Sequence, residues 1–547
     1  MANIFGIGQG ALFAAQTGLT TTGHNIANAA TPGFNRQALL QTAGTPQRTG
    51  AGFIGGGTQV TDIRRQYSEQ IGQQLLSAQS ASSALGSYYA QISRIDNLLA
   101  DPAAGLSPAL QNFFKGIQDL AGNPASVSAR QSALSAAETL AARFQSMDGQ
   151  LNEFRQNVNG EISASVSSIN FYGEQIARLN NTILQAQAGS NGQAANDLLD
   201  QRDQLVADLS KEIGVSVIRQ EGNYTVFIGS GQPLVIGGQT FKLVAQPSAS
   251  DPGHTEVRGL NNGVSTVLAE SSLVGGKLGG SLNFRSGTLD PAQAALGTLA
   301  ATLATRFNAQ HRLGQDLAGN PGGDFFSMSG TNASGFRLAI SDGARIAAAA
   351  PVRTSALPGN TGAGRISPGV IDASYLTAPL SGPIQLVYDA ASNTLDTSPP
   401  GGLAGFPQIW TDGATITSGG ISFAITGVPG DQDKFTVEPN ADGVRDNRNA
   451  LLLGALQTAN TMGGANFQGS YAQLVNLVGN KARELEVTSR AGDQLLAQAS
   501  AAQQSVSGVN LDEEATNLLR YQQAYQAAGK MMQVANELFD VVLSINR

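Results

Sequence analysis

Three aspartates in the segment DLLDQRD have the spacing of a carboxylate cluster. Asp197, Asp200 and Asp203 follow one another at intervals of three residues, which places them along one side of a helix. Neighbouring carboxylates can serve as general acid and base when their environments push their pKa values apart. Arg202 stands beside them, however, and opposite charges at such spacings are ordinary on exposed helix faces. We therefore predict a solvated face with local ion pairs rather than a catalytic site.

The other residues that could do chemistry are scattered. His24, His254 and His311 stand far apart in unrelated contexts, which favours surface or capping roles over a metal or acid–base site. The segment GIGQGA at Gly6 lacks the preceding strand and the final glycine spacing of a dinucleotide-binding loop. Neither a phosphate-binding loop nor an H-E-x-x-H or G-x-S-x-G motif occurs. The sequence thus predicts no catalytic residue, no cofactor and no metal, and a protein that is not an enzyme.

The net charge of the chain limits which classes of partner it can bind by electrostatic attraction. The 547 residues include 32 Lys and Arg and 40 Asp and Glu, a net charge of -8, so we expect neither nucleic acid nor an anionic membrane as a partner. Charged residues make up 13% of the chain, against about 25% in ordinary domains. Two explanations stay open: faces covered by neighbouring subunits, or a composition merely rich in Ala, Gly and Ser. The absence of cysteine rules out disulfides and thiolate metal sites.

The N-terminus has one feature of a secretory signal. Ala27-Asn28-Ala29 has the form of a cleavage site. A positively charged region is missing before it, and Gly6, Gly8 and Gly10 interrupt the apolar stretch. A run of about eighteen apolar residues is also missing, so a membrane span is not expected. We predict that no signal peptide is removed.

Both ends of the chain carry a narrow stripe with coiled-coil spacing. Positions that alternate three and four residues apart lie along one seam of a supercoiled helix. On the first helix these positions are Phe5, Gly8, Leu12, Ala15, Leu19, Thr22 and Ile26. On the last helix they are Tyr521, Ala524, Ala528, Met531, Ala535, Leu538, Val542 and Ile545. The many small side chains among them permit helices to approach closely.

The sequence also marks the ends of these two helices. Pro32 stops the first, because proline disfavours helical geometry in the residue before it. Asn510 or Asp512 can cap the last helix, and Glu513 and Glu514 fall in its first turn, where the helix dipole favours negative charge. A helix from about Asp512 to Ile545 would be roughly 50 Å long. A straight helix of this length cannot cover its own apolar stripe, so the stripe requires another helix to pack on it.

Two arrangements account for the stripes. In the first, the two termini pair only with each other and close a large domain, which leaves the outer face of an uncharged helix in water. In the second, which we favour, many copies pack side by side and cover that face as well. The residues that we predict at subunit interfaces are Leu12, Ala15, Leu19, Ile26, Tyr521, Ala528, Met531, Ala535, Leu538, Val542 and Ile545.

The middle of the chain alternates between helical and strand patterns. Helical periodicity covers about 62–211, 291–313 and 445–505, whereas short β-branched or aromatic runs follow Gly214 and fill about 336–439. This order predicts a mainly α fold with inserted β domains: a terminal α-helical coiled-coil layer, a long helical bundle, and outer β-rich insertions. The predicted domains are a terminal coiled coil (1–60 with 506–547), a helical domain (61–210 with 290–316 and 445–505) and outer β-rich domains (211–289 with 317–444).

Several segments resemble the axial proteins of the bacterial flagellum. NIANAATPGFNRQ and GGGTQVTDIRRQYSEQI are similar to the N-terminal signature that rod, hook and hook-associated proteins share. NDLLDQRDQLVADLS, GGKLGGSLNFR, GGDFF, DNRNALLL and the C-terminal segment that begins SGVNLDEEATNLL are more specific to the hook-associated junction proteins. The chain is identified as a member of that family, and residues from about 336 to 440 resemble it least.

The resemblance implies a structural protein of the flagellum that links the hook to the filament and is needed for filament assembly. In this family the terminal helices line the channel of a helical tube and order on assembly. The implied partners are the hook protein, hook-associated protein 3, further copies of the chain in a helical ring, and an export chaperone at the C-terminal helix. The implied location is the hook–filament junction, reached through the flagellar type III secretion system.

Two alternatives stay open beside this interpretation. The chain could be another axial protein, either the hook protein or hook-associated protein 3. It could also be an axial scaffold whose outer domain, at about 336–440, is enzymatic or adhesive.

Overall fold

The computed structural model describes residues 2–50, 52–101, 105–189, 193–220, 222–261 and 263–545. The predicted fold class is confirmed, since long helices alternate with stretches of antiparallel strands. No helix among these residues is both long enough and apolar enough to cross a membrane. The helices are α1 (Ala2–Ala27), α2 (Glu69–Ala100), α3 (Leu106–Gly122), α4 (Val127–Gly189), α5 (Asn196–Glu212), α6 (Gly276–Phe284), α7 (Asp290–Arg312), α8 (Arg448–Ala455), α9 (Phe467–Ser507) and α10 (Leu511–Ile545).

The strands lie in three stretches of the chain. The first stretch holds β1 (Gln37–Ala43), β2 (Gln47–Thr49), β3 (Gly52–Ile54) and β4 (Thr58–Arg65). The second holds β5 (Val215–Gln220), β6 (Asn223–Ile228), β7 (Gln232–Ile236), β8 (Gln239–Thr240), β9 (Lys242–Pro247), β10 (Thr255–Asn261) and β11 (Val264–Val267). The third holds β12 (Phe326–Met328), β13 (Phe336–Leu338), β14 (Val352–Ala356), β15 (Arg365–Ile366), β16 (Val370–Ile371), β17 (Ile384–Asp389), β18 (Thr394–Ser398), β19 (Gln408–Ile409), β20 (Thr415–Ser418), β21 (Ile421–Thr426) and β22 (Lys434–Pro439).

Three details differ from the sequence-based expectation. The strands β1 to β4 interrupt a stretch expected to be helical coiled coil, and β1 pairs with β4 from Gln37 opposite Arg65. Helix α6 falls within the range 211–289, which was expected to be β-rich. The helical run over 445–505 is two helices, because Gly463 and Gly464 adopt positive φ angles in a turn that ends the helical pattern.

The chain forms two compact units, each discontinuous in sequence. The first contains Met1–Ile92, Arg155–Ser286 and Ala482–Arg547, and the second contains Ser93–Phe154 and Gly287–Lys481. The three-way division into coiled-coil, helical and outer β domains is a different partition and stays a prediction.

In the first unit, asparagines of α4 bind the backbone of neighbouring strands. Asn170 donates to the Leu243 carbonyl at 2.7 Å and accepts from the Leu243 N–H at 2.8 Å. Asn180 makes the same two bonds with Tyr224, at 2.9 and 3.2 Å. A side-chain amide carries the donor and acceptor of a peptide group, so each asparagine substitutes for a neighbouring strand. These bonds attach α4 to the sheets β5-β6-β7-β8 and β11-β10-β9.

The second unit has an aromatic core. Phe113 of α3 lies 5.2 Å from Phe307 of α7 between ring centroids, and Phe307 lies 4.8 Å from Phe325. Phe326 and Phe336 extend the cluster through the short sheet β12–β13, at a centroid distance of 4.6 Å. All five rings are fully buried. The GGDFF segment singled out in the sequence therefore supplies two rings of this core.

The same unit contains a two-sheet β structure with its own core. One sheet has the order β14-β22-β17-β18-β19, and the other joins β15, β16 and β20 to β21. The side chains that the two sheets bury together include Val352, Tyr375, Ile384, Leu386, Tyr388, Leu395, Ile416, Ile421, Phe423, Ile425, Phe435 and Val437. Alternation of buried and partly buried residues along β17 and β21 follows from the two-residue period of a strand.

His311 is buried in the second unit, and the surface or capping role expected for it is wrong. Its Nδ1 donates to the Gly323 carbonyl at 2.8 Å, and its Nε2 accepts from the Ala347 N–H at 2.9 Å. Both bonds suit a neutral ring, because a protonated Nε2 would face a donor. Burial lowers the pKa of His311 to about 4.

Candidate assembly surface of the terminal helices

Helix α1 packs along α10 through glycines. A Cβ atom at Gly8 would lie 2.8 Å from the sulfur of Met532, and one at Gly18 would lie 2.6 Å from the ring of Tyr521. A side chain at Gly18 would overlap the rigid tyrosine ring and push the two helices apart, whereas one at Gly8 would force the Met532 side chain to move. The GIGQGA segment therefore lies inside a helix, and Gly8 within it serves close packing.

The predicted interface residues divide between the inside and the outside of this helix pair. Buried are Ala15, Ala528 and Ala535. Partly buried are Leu12, Leu19 and Tyr521. Exposed are Ile26, Met531, Leu538 and Val542. The side chain of Ile545 lies outside the described residues. The termini thus pair within one chain, as in the first arrangement considered from the sequence; their burial by further copies stays a prediction.

Further bulky residues extend the exposed surface, and the stripe analysis missed them. Phe13 of α1 is 59% exposed. On α10 the additional exposed residues are Leu511, Leu519, Tyr525, Val534, Phe539, Val541 and Leu543. The signal was present in the sequence, because ELFDVVLSI is apolar on almost every side, a pattern typical of helices that are buried all round. We call the exposed residues Phe13, Met531, Val534, Leu538, Phe539, Val541, Val542 and Leu543 the outer face.

A group of polar bonds, which we call the clasp, joins the end of α1 to β1 and to the start of α10. The Asn25 side chain donates to the Gln37 carbonyl at 2.9 Å and accepts from the Gln37 N–H at 3.0 Å. It also donates to Glu514 at 3.2 Å. Asn25 is itself buried, so these bonds replace the water that it would otherwise bind. They fix where α1 ends relative to β1.

Arg36 completes the clasp from the other side of the turn. Its Nε donates to Glu514 Oε1 at 2.7 Å, and its Nη1 lies 2.8 Å from Glu513 Oε2. Its backbone N–H donates to the Ser507 carbonyl at 2.9 Å. Glu514 is only 2% exposed, and a carboxylate so deeply buried requires charged and hydrogen-bonding partners. The first charged side chain of the chain is therefore used to bind the last helix.

The aspartates of α5 form a second junction, and the predicted solvated face is wrong for Asp200 and Asp203. Asp200 accepts from the Asn35 N–H at 3.0 Å and from the Asn35 side chain at 2.6 Å. Arg65 binds Asp200 at 2.8 Å and Asp203 at 2.6 Å. Burial alone would lower the pKa of Arg65, but the two carboxylates outweigh burial and raise it. These partners stand more than a hundred residues away along the chain, where helix periodicity gives no information.

Arg202 does not pair with its helix neighbours as the sequence predicted. Its guanidinium lies 3.5 Å from the centroid of the Tyr224 ring and donates to Asn180 at 2.8 Å. The Tyr224 hydroxyl donates to Asp203. Burial raises the pKa of Tyr224, and the Asp203 charge raises it further. The arginine is buried because cation–π contact and hydrogen bonds replace its hydration.

Asp197 remains on the surface, and it binds one residue of α1 and one of β1. It accepts from the Gln37 side chain at 2.8 Å and contacts His24 at 3.1 Å. All three aspartates thus bind residues of the N-terminal segment or β4, and their role is to hold elements together. No group of three or more His, Asp or Glu side chains that could hold a metal ion occurs among the described residues.

Comparison with known proteins identifies the family. Residues 92–326 match the family profile described as flagellar hook-associated protein FlgK helical domain, and residues 502–545 match flagellar basal body rod FlgEFG protein C-terminal. Flagellar hook-associated protein 1 of Salmonella typhimurium is 36% identical over 558 residues, with 100% of both chains covered. The chain belongs to the FlgK family. The FlgK relative from Bacillus subtilis is 24% identical over 98% of this chain and 96% of its own.

The fold agrees with a solved FlgK structure. The flagellar hook junction protein FlgK from Burkholderia pseudomallei is 33% identical and superposes with a TM-score of 0.74, covering 80% of this chain and 100% of that chain. The predicted family is therefore confirmed, as is the role of a structural component of the flagellar hook junction. The clasp and the α5 junction use the segments NIANAATPGFNRQ and NDLLDQRDQLVADLS, on which the resemblance to the family was based.

Proposed function

We propose that this FlgK family member is the adaptor that joins hook to filament, and that copies pack side by side through the outer face. One observation carries the proposal. The α1–α10 pair buries alanine and packs closely at its glycines, while many of its bulky apolar residues stay exposed. Large exposed apolar side chains concentrated on one helix are typical of an interaction site. The two helices therefore pack on each other within the chain, but apolar side chains on the pair remain exposed to solvent.

The neighbours that we propose are the hook protein on one side, hook-associated protein 3 on the other, and copies of the chain in a helical ring. Membership of the FlgK family supports this placement, as do the match of residues 502–545 to rod proteins and the hook-junction relative. Proteins that stack in one axial structure would need a similar segment where they contact one another. In this chain that segment, residues 502–545, includes α10.

Export without a cleaved signal is part of the proposal. The A-x-A segment Ala27-Asn28-Ala29 begins at the last residue of α1. Cleavage there would remove α1 together with Asn25, and the clasp and the helix pair would be lost. We therefore propose that the N-terminus is retained and that the protein leaves the cell through the flagellar type III system.

A chaperone that covers α10 before export is a further part. The described residues that follow Ala528 include most of the outer face, and exposed apolar helices need cover in the cell. Removing the residues after Ala528 is expected to abolish capture by the flagellar export chaperone in a pull-down from cells. Undiminished capture by the truncated chain would contradict this part.

The assembly proposal is tested by one charge on the outer face. Leu538→Asp places a carboxylate at a side chain that is 46% exposed in the chain, so the cost to folding should stay below about 0.5 kcal/mol. Between packed copies the same charge would be buried without a partner, at a cost of several kcal/mol. Cells that carry only this variant should bear hooks without filaments and release filament subunits into the medium.

The matched control is Asn536→Asp, which adds the same charge at an exposed polar residue two positions away with almost no change in shape. Cells with this variant should keep their filaments. The proposal fails if Leu538→Asp cells also keep normal filaments, or if the purified variant melts several degrees below the parent protein, since the side chain would then belong to a core.

A further inference from the structure

The strands β2 and β3 form a short hairpin with exposed apolar residues. Phe53 is 75% exposed and Ile54 is 50% exposed. Phe53 lies opposite Arg48 in the antiparallel register, and Ile54 lies opposite Gln47. A two-stranded hairpin of this length is marginal in water unless another surface packs on it. Among the described residues, neither apolar side chain is buried by the rest of the chain, so both are available to a partner.

The base of the hairpin is fixed against α1. The Gly44 N–H donates to the Gly57 carbonyl at 2.8 Å, which closes the two chain segments that lead into it. A Cβ atom at Gly57, where φ is +83°, would lie 3.1 Å from the Ile7 backbone. A Cβ atom at Gly10 would lie 2.6 Å from the Thr58 carbonyl. Because of these close approaches, the hairpin is held in place next to the helix that pairs with α10.

The C-terminal part of the outer face has the complementary chemistry. From Val534 to Leu543 it combines exposed apolar side chains with two exposed carboxylates, Glu537 and Asp540. Arg48 is the one charged residue in the sequence from Gly44 to Gly57. The hairpin thus offers an aromatic ring beside a cation, and the helix offers apolar surface beside anions. Both surfaces are exposed in the chain, so they do not bury each other.

We propose that the hairpin of one copy docks on the C-terminal segment of α10 of a neighbouring copy. Phe53 and Ile54 would pack on the apolar residues from Val534 to Leu543, and Arg48 would pair with Glu537 or Asp540. Such a contact joins two different surfaces, which is the head-to-tail geometry that builds rings and helical arrays. The inference rests on the proposed function, because it names one contact through which copies of the chain assemble.

Engineered cysteines test the contact directly, because the chain contains no cysteine of its own. Phe53→Cys and Val541→Cys would be introduced together, in cells that carry no other copy, and isolated flagella would be oxidised. The expected result is a ladder of disulfide-linked oligomers of this chain. The matched control replaces Phe53→Cys by Val267→Cys, another exposed apolar strand residue, and is expected to give no ladder.

Three results of the cysteine experiment would contradict docking of the hairpin on α10 of a neighbouring copy. Filament-bearing flagella without the ladder, a disulfide formed only within one chain, or a disulfide formed only to a different flagellar protein would overturn the docking and leave the junction function standing. If the cysteine pair prevents filament formation, a charge exchange decides instead. Arg48→Glu should reduce the number of filaments, and adding either Glu537→Arg or Asp540→Arg should restore it. Failure of both double variants to restore filaments would overturn the contact, whereas unaffected assembly in Leu538→Asp cells would overturn the packing of copies through the outer face.

Discussion

The aromatic core of the second unit and the α1–α10 pair of the first unit are packed in opposite ways. The second unit buries phenylalanine rings such as Phe113 and Phe307, each worth about 1.5–3 kcal/mol of burial free energy. The α1–α10 pair in the first unit buries glycine and alanine, and leaves Phe13 and Leu538 outside. The aromatic core can hold its unit together without help. The helix pair is held by the clasp within the chain, and in the proposed function neighbouring copies would cover its exposed residues.

Removing one phenylalanine from each region should show the largest contrast. Phe307→Ala leaves a cavity in the aromatic core and should destabilise the second unit by about 3–5 kcal/mol. Phe13→Ala removes the same atoms from an exposed position and should change stability by less than about 0.5 kcal/mol. Trp410, the chain's single tryptophan, lies in the second unit, so denaturant unfolding followed by its fluorescence reports on that unit.

Similar effects of the two substitutions on unfolding would contradict the contrast between the aromatic core and the helix pair. The contrast would be strengthened if Phe13→Ala left unfolding unchanged and still reduced the number of filaments per cell, because the exposed ring would then act only in assembly.

Breaking the clasp should have the next largest effect, and only at the termini. Glu514→Ala removes the buried carboxylate that binds Arg36 and Asn25, which should loosen the terminal helices by about 2 kcal/mol because their partners lose hydrogen bonds. The measurement is the rate of limited proteolysis within α1 and α10. Glu513→Ala is the control, since Glu513 is largely exposed and its ion pair should contribute less than about 1 kcal/mol.

Equal proteolysis of the Glu514→Ala and Glu513→Ala proteins would show that the clasp does not hold the termini. A fall in the denaturant midpoint reported by Trp410 would contradict the assignment of the clasp to the first unit alone.

The effect that is smallest near neutral pH is a pH dependence confined to the second unit. The unfolded chain protonates His311 at a pKa of about 6.5, whereas the folded protein resists protonation down to about 4. The unfolded state therefore binds more protons in this interval, and stability that is fully present above pH 6.5 should fall by about 1.4 kcal/mol per pH unit as the pH drops towards 4. Trp410 fluorescence in denaturant titrations at several pH values measures the slope.

His311→Gln keeps a donor for the Gly323 carbonyl and an acceptor for the Ala347 N–H without a titrating group. This variant should lose most of the slope between pH 6.5 and 4. An unchanged slope would mean that other groups cause the pH dependence.

What the sequence predicted well was local. The last helix was expected over 512–545 and begins one residue earlier, at Leu511. The β-branched and aromatic runs predicted after Gly214 and within about 336–439 include strands such as VSVIRQ, NYTVFIG, GISFAITG and DKFTVEP. Periodicity, glycine and proline depend on neighbouring residues alone, so they identify elements without knowledge of tertiary contacts. The family segments are likewise contiguous in sequence, so they can be identified without knowledge of the contacts that they make.

What the sequence did not predict depends on long-range partners. Asp200 was placed on a solvated face because its only visible neighbour was Arg202, whereas its partners are Asn35 and Arg65. The burial of His311 follows from the packing of α7 against loops that end near Gly323 and Ala347. The outer face was underestimated because a stripe rule counts only every third or fourth residue, and Phe539 or Val541 lie between those positions.

The most direct test of the account compares amide hydrogen exchange of α10 in the free protein and in isolated flagella. Amides from Met531 to Leu543 should exchange rapidly in the free protein, because few side chains cover this segment, and should be protected in flagella. Amides around Phe307 should be equally protected in both samples. If the amides of α10 are as strongly protected from exchange in the free protein as in flagella, this helix does not need other copies to cover it. The outer face would then not be an assembly surface.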